Sequence, residues 1–258
     1  MASDDDLPPG LPTSLLAAWG RHEPATRGPK RALSLDAIAA AGVAVADREG
    51  LAAVSMKRVA DELGSKPMSL YRYLGSKEEL LTLMVDRAGG VPPPPAPGET
   101  WREGLERWAR GYRGALQAHP WVVRVPISGP PVTPNQIRWL EDALGSLRDT
   151  PLSGQEKLSV VLLVSGFVRN DASLEADIDE AAERAGVLVE QFMLGYGRLI
   201  ARLTDPADFP HLHAAVATGA LDDDDEGLEV EFEFGLRRVL DGIERLVQER
   251  SAGSTDSP

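Results

Sequence analysis

The stretch from Ser34 to Lys77 constrains the fold more tightly than any other part of this 258-residue chain. A helical pattern leads into SMKRVADELG, a short break falls at Ser65 and Lys66, and PMSLYRYLGSK follows. Met56, Val59, Ala60 and Leu63 keep helical spacing on one face, and Gly64 is the residue type that most easily adopts the left-handed conformation ending a helix. Pro67 suits the first turn of the next helix, where its missing amide costs nothing, and Leu70 and Leu74 give that helix one narrow buried stripe. Met68, Ser69, Tyr71, Arg72 and Tyr73 are thereby expected to face outward. A helix presenting small hydroxyl, aromatic and cationic groups can enter the major groove, with Arg72 reaching guanine acceptors or phosphate and the tyrosine hydroxyls reaching phosphates. An ordinary helical hairpin with a solvated face is the alternative.

From Leu33 to about Val85 the chain resembles the DNA-binding domain of the tetracycline-repressor (TetR) family, on the strength of ADREGLAAVSMKRVADELG and LYRYLGSKEELL. Within these, Leu70-Tyr71-Arg72-Tyr73-Leu74 with a lysine three residues later is the most diagnostic run. The resemblance implies DNA contacts from Ser55 and Lys57 at the start of the second helix, from Lys66, Pro67, Met68, Ser69, Tyr71, Arg72 and Tyr73 around the recognition helix, and from Lys77 at the fourth helix. Read on its own, Ser76 is an N-cap with Glu79 three residues on, a capping box whose helix start can receive a phosphate. Capping alone is the other role open to it. Pro67 and Met68 depart from a strongly polar reading surface, which shifts base recognition toward thymine methyls and away from hydrogen bonds.

Charge agrees with a DNA-reading segment once it is divided along the chain. The net charge is -13, yet residues 21 to 88 carry 11 bases against 9 acids. The positive segment is expected to approach phosphate while the acidic remainder is repelled and held outward. Ahead of the first helix, WGRHEPATRGPKRAL contributes Arg21, Arg27, Lys30 and Arg31. Such a segment is either an arm entering the minor groove or a basic leader attracted nonspecifically to DNA. The earlier LPTSLLAAW has the makings of a short helix. No apolar run reaches membrane-spanning length, cysteine is absent, and Asp4 to Asp6 contradict the positive start of a secretory signal, so the expected location is cytoplasmic, without a membrane partner.

VPPPPAPG, from Val91 to Gly98, favours a stiff polyproline spacer. Beyond it the pattern is helical: Trp101, Leu105, Trp108, Tyr112 and Leu116 share one face, as do Ile137, Leu140, Leu144 and Leu147. Further helices are expected from about Gln155 to Asn170, Glu183 to Leu203 and Leu228 to Glu249. This part resembles the TetR-like carboxy-terminal domain in AHPWVVRVP, NQIRWLEDALGSLRDTPLSGQEKL and FEFGLRRVLDGIERL. The resemblance implies a homodimer. Two apolar stripes offer a route to it, Phe232, Leu236, Val239, Leu240, Ile243, Leu246 and Val247 on one helix and Leu158, Val161, Leu162, Ser165 and Val168 on another, which two subunits can combine into a four-helix interface. Core packing within one chain is the competing use of the same residues.

Trp108, Tyr112, Trp139, Phe167, Phe192, Met193 and Tyr196 can wall a cavity, with His119, Asn170 and Gln191 as polar companions, although core packing accounts for each equally well. The resemblance implies that a ligand there favours a spacing of recognition helices unsuited to the operator. His211 and His213 lack a spaced third ligand, and the acidic run from Asp222 to Asp225 reads as a solvated loop, so neither metal nor cofactor is expected. No HExxH, GxSxG, phosphate-loop or dinucleotide signature is present.

The expected organisation is all-α: a flexible basic extension over 1–32, a helix-turn-helix DNA-binding domain over 33–90 including a connecting fourth helix, a Pro-rich linker over 91–100, a larger C-terminal helical bundle for ligand binding and dimerisation over 101–250, and a disordered tail over 251–258. The expected function is a ligand-responsive transcriptional regulator, a repressor that binds an inverted-repeat operator in double-stranded DNA as a homodimer and is released by a small-molecule inducer. A ligand-independent architectural DNA binder and a helical enzyme are the rivals.

Overall fold

The computed structural model describes residues 12–20, 33–127, 129–189, 196–219 and 227–253, and every regular element among them is helical. Helix α1 (Thr13–Ala18) precedes a bundle of α2 (Leu35–Glu49), α3 (Met56–Glu62) and α4 (Pro67–Leu70). Helix α5 (Lys77–Gly89) joins it to α6 (Trp101–Ala118), α7 (Pro134–Ser146), α8 (Gly154–Ala185), α9 (Tyr196–Leu203), α10 (Pro210–Ala217) and α11 (Gly227–Gly253). No helix among the described residues is long and apolar enough to cross a membrane.

Serine starts three of the first five helices. Ser34, Ser55 and Ser76 each accept the amide three residues on, Ala37 at 3.1 Å, Arg58 at 3.1 Å and Glu79 at 3.2 Å. Each such cap is worth about 1 kcal/mol. Gly64, at φ +60°, turns the chain between α3 and α4. Ile38, Val45, Val54, Val59, Leu70, Leu74, Leu80 and Met84 form the buried centre. Gly42 lets α2 approach α5 closely, since a Cβ there would stand 2.6 Å from Met84 Sδ. The capping box expected at α5 is only half formed. The Glu79 carboxylate accepts from Gly75 N at 3.1 Å and from the Ser14 hydroxyl, so it reaches past Ser76 to fix the loop before the helix.

Several expectations are corrected. Residues 13–18, within the expected flexible extension, form the short helix that LPTSLLAAW suggests, α1, which packs on α2 and α5, and Trp19 Nε1 donates to Val132 O at 2.8 Å. The proline linker is laid along α6: Arg107 Nη1 donates to Pro93 O at 2.6 Å, and Gly111 leaves the notch that Pro93 occupies. The two helices expected around Gln155–Asn170 and Glu183–Leu203 are divided differently. Helix α8 runs unbroken to Ala185 before turning at Gly186, and the described part of α9 is Tyr196–Leu203. Residues 251–253, placed in the tail, continue α11.

Two seams hold the domains together. Asp47 on α2 accepts from Trp121 Nε1 at 2.7 Å and meets His119 Nδ1 at 2.8 Å. Trp139 Nε1 on α7 donates to Gly89 O at 3.0 Å and to Gly90 O at 3.2 Å, gripping the end of α5. Within the C-terminal bundle, α6, α8 and α11 pack around Leu105, Leu116, Val164, Val168, Phe232, Leu236 and Leu240. Buried Arg113 crosses all three helices to Asp171, Glu175 and Glu229.

Candidate nucleic-acid interface

Apolar packing decides which side chains of the bundle remain free. Met56, Val59 and Ala60 turn α3 inward, and Leu70 and Leu74 turn the reading segment inward. Helical hydrogen bonding in α4 covers only Pro67–Leu70, and the chain then tightens into a turn, with Tyr73 N donating to Leu70 O at 2.8 Å. Met68 is 74% exposed and Tyr71 48%, and Arg72 is also exposed. Tyr73 departs from the outward reading because it is half-buried against the core. Ser69 and Pro67 are half-buried at the edge of the same surface.

The ion pairs define the electrostatics of this surface. Arg58 is held by Glu49 at 2.6 Å and Glu62 at 2.8 Å, and Arg48 by Glu62 at 2.8 Å. Hydrogen bonds from Arg58 hold Glu49 below the usual carboxylate range, and those from Arg48 and then Arg58 do the same for Glu62. Arg87 pairs with Asp36. The cations between 33 and 90 left without a salt bridge among the described residues are Lys57, Lys66, Arg72 and Lys77, all exposed. They are the same cations that the family resemblance places on DNA. Arg58, within SMKRVADELG, instead ties α3 to α2, a role that depends on carboxylates 9 residues before it and 4 after it.

Ser55 is the N-cap of α3. Its Oγ accepts the Arg58 amide, which leaves the hydroxyl proton free for a phosphate oxygen. At α5 the Glu79 amide is taken by Ser76, and Glu78 is lowered by its own backbone amide and by Ser76. The helix start is therefore largely satisfied, and Lys77 is exposed beside it.

The expected cavity residues do not converge. Trp108, Tyr112 and Trp139 meet with ring centroids 5.2 to 5.7 Å apart. Trp108 Nε1 donates to Trp139 O at 2.8 Å, so the trio packs as a joint between α6 and α7. His119 belongs to the Asp47 seam, Phe167 stacks on Phe232 at 5.5 Å, and Asn170 and Tyr196 are exposed. Phe192, Met193 and Gln191 lie outside the described residues, as do Arg21, Arg27, Lys30, Arg31 and Asp222 to Asp225. His213 Nε2 meets Thr204 Oγ1 at 2.8 Å, joining α9 to α10.

The expected dimer stripes split in two. Val161, Val168, Phe232, Leu236, Leu240 and Ile243 are buried within the chain, while Val239, Leu246 and Val247 are half-buried. Leu158 and Leu162 remain exposed, as do Leu163, Leu174 and Phe234. Ser165 bonds back to Leu162 O at 3.0 Å. Val160, Leu163, Val239, Gly242, Ile243 and Leu246 line a groove of about 370 Å³ between α8 and α11.

Comparison with known proteins agrees with both halves. The model for bacterial regulatory proteins of the tetR family matches residues 38–84, and that for the tetracyclin repressor-like C-terminal domain matches residues 94–247. The chain is 35% identical over 239 residues to the HTH-type transcriptional repressor DrrR1 of Streptomyces coeruleorubidus, covering 92% of this chain and 86% of that protein. Its structure is similar to that of ActR, a TetR family protein of Streptomyces coelicolor solved in complex with actinorhodin, with a TM-score of 0.67 and 29% identity over 81% of this chain and 94% of that one. Apo ActR gives a TM-score of 0.66 at 26% identity, covering 87% of this chain and 99% of that one. A reading head with its own unpaired cations, clasped to a helical C-terminal domain, thus agrees with family membership over almost the whole chain: this protein belongs to the TetR family of bacterial transcriptional regulators.

Proposed function

We propose that the chain is a homodimeric repressor that reads an inverted-repeat operator and is released by a small molecule. The observation that carries this reading is that Lys57, Lys66, Met68, Tyr71, Arg72 and Lys77 are all exposed and that none of these four cations is held in a salt bridge among the described residues. Phosphate supplies that missing charge, while Met68 offers an apolar contact for a thymine methyl and Arg72 a fork for guanine. Similarity to a named repressor and to ActR, whose solved structure holds actinorhodin, supports ligand-controlled release. Release requires the ligand to bind one arrangement of the reading heads better than the other. Two copies joined through α8 and α11 place two heads on one duplex, which calls for inverted symmetry. No enzymatic activity is part of this reading.

Selection of bound duplexes from a random pool tests it directly. An enriched inverted repeat is the expected result, and recovery of unrelated sequences favours an architectural DNA binder instead. On the selected operator, affinity is expected to fall steeply with salt. Lys66→Ala or Lys77→Ala should each reduce the slope of log affinity against log salt by about two per dimer, from about 0.9 per lost phosphate contact. A slope unchanged in both variants would remove these lysines from the phosphate contacts.

A further inference from the structure

Helix α7 begins beside the end of α5, and its cap comes from the wrong chain segment. Asp86 Oδ1, on α5, accepts from Asn135 N at 2.8 Å and Gln136 N at 3.1 Å, and Asn135 Nδ2 donates to Asp86 O at 3.1 Å. These amides are the second and third of α7, the donors that an N-cap side chain normally satisfies. The residue in the N-cap position is Thr133, in extended conformation at φ −92°, ψ 156°, and it makes no capping bond. Thr133 is fully buried, and its Oγ1 has no hydrogen-bond partner among the described residues. A buried hydroxyl left unpaired costs stability, and Thr133 is of the residue type that, at an N-cap, accepts from the second or third amide of its helix.

We infer that Asp86 is a positioning residue for DNA reading, capping α7 across the domain boundary while Thr133 stands as the reserve cap of the same helix. With Asp86 seated, α5 is locked to the C-terminal domain at the cap and at the Trp139 grip on Gly89 and Gly90. When α5 swings away, Thr133 Oγ1 takes over an amide that Asp86 leaves. The exchange removes most of the penalty for opening the joint and gives it two defined states rather than a continuum. Helix α5 carries Lys77 at its other end, so the joint governs where the reading head points. The consequence for DNA rests on the repressor reading above; the exchange of caps does not.

The test uses the full chain and four variants, Thr133→Val, Asp86→Ala, Asp86→Asn and the double Asp86→Ala/Thr133→Val. Hydrogen exchange at the Asn135 and Gln136 amides reports the cap, and affinity for the selected operator reports the reading head. Thr133→Val alone should leave protection as in the unsubstituted protein, because Asp86 still holds the amides. Asp86→Ala should keep protection within about threefold as Thr133 takes over, and the double variant should lose about fivefold or more beyond that, the usual worth of one N-cap. Failure of the double variant alone to fold carries the same meaning. Operator affinity should drop about tenfold in Asp86→Ala and stay near the original in Asp86→Asn, whose amide oxygen is as good a cap. Asp86→Ala that loses as much protection as the double variant, or does not fold with Thr133 present, overturns the reserve cap. Asp86→Ala with undiminished operator affinity overturns the positioning role. If no operator can be selected, the repressor reading fails, while the exchange data still decide the caps.

Discussion

Leu162→Glu is expected to separate the dimer into folded monomers and to reduce operator affinity by a factor of about a hundred or more, the advantage that joining two binding heads ordinarily confers. Leu162 is 73% exposed on α8, with exposed Leu158 one turn before it and exposed Leu163 beside it. A charge there costs the isolated chain little, because exposed substitutions usually change stability by less than about 0.5 kcal/mol. In a four-helix interface of α8 and α11 from two copies, the same carboxylate becomes a buried, unpaired charge, and the twofold axis brings a second one near it. Sedimentation should show monomers with unchanged helical circular dichroism, and gel retardation should show the lost affinity. A variant that still sediments as a dimer would place the interface elsewhere.

Most of the reading head was legible in the sequence because its determinants are local. Ser55, Gly64, Pro67 and Ser76 each act on backbone within four residues, and the buried positions of α3 and α4 repeat at helical spacing. What escaped depends on distant partners. Helical spacing marks Trp108, Tyr112 and Trp139 as apolar-faced, yet a cavity wall and a packed joint share that spacing. The distinction comes from Trp139 Nε1 meeting carbonyls about fifty residues earlier, at Gly89 and Gly90. The Phe232-to-Ile243 stripe likewise announces burial without naming the surface that buries it. Helix α8 was divided because its second half buries only alanines, Ala172, Ala176 and Ala182, among many charges, which weakens the apolar period without breaking the helix. Tyr73 was assigned outward from the width of one leucine stripe, and the turn after Leu70 rotates it back toward the core.

The largest effect on stability is expected from Arg113→Met. Arg113 is 4% exposed, lies 2.7 Å from Asp171 and 3.3 Å from Glu175, also contacts Glu229, and stands 4.4 Å over the Phe232 ring. Methionine preserves much of the apolar stem but leaves the carboxylates on α8 without their cation, and breaking a buried pair from one side costs about 3–5 kcal/mol. The pH dependence identifies the cause. Burial already pushes the Asp171 carboxyl above its ordinary value, against the opposing effects of its bond to Arg113 and the Arg113 charge. With Arg113 gone, burial and the neighbouring Glu175 and Glu229 charges act unopposed and raise it further. A carboxyl whose folded value exceeds its unfolded one binds its proton more tightly when folded, so its unfavourable effect is full above the folded value and fades as pH falls through that value toward the unfolded one. The stability gap between Arg113→Met and the unsubstituted protein should therefore be widest near neutral pH and narrow under acidic conditions, as the Asp171 carboxyl regains its proton. Urea unfolding at both conditions measures the gap. A gap of equal size at both would assign the loss to packing around Phe232, because removal of an apolar contact carries no proton linkage.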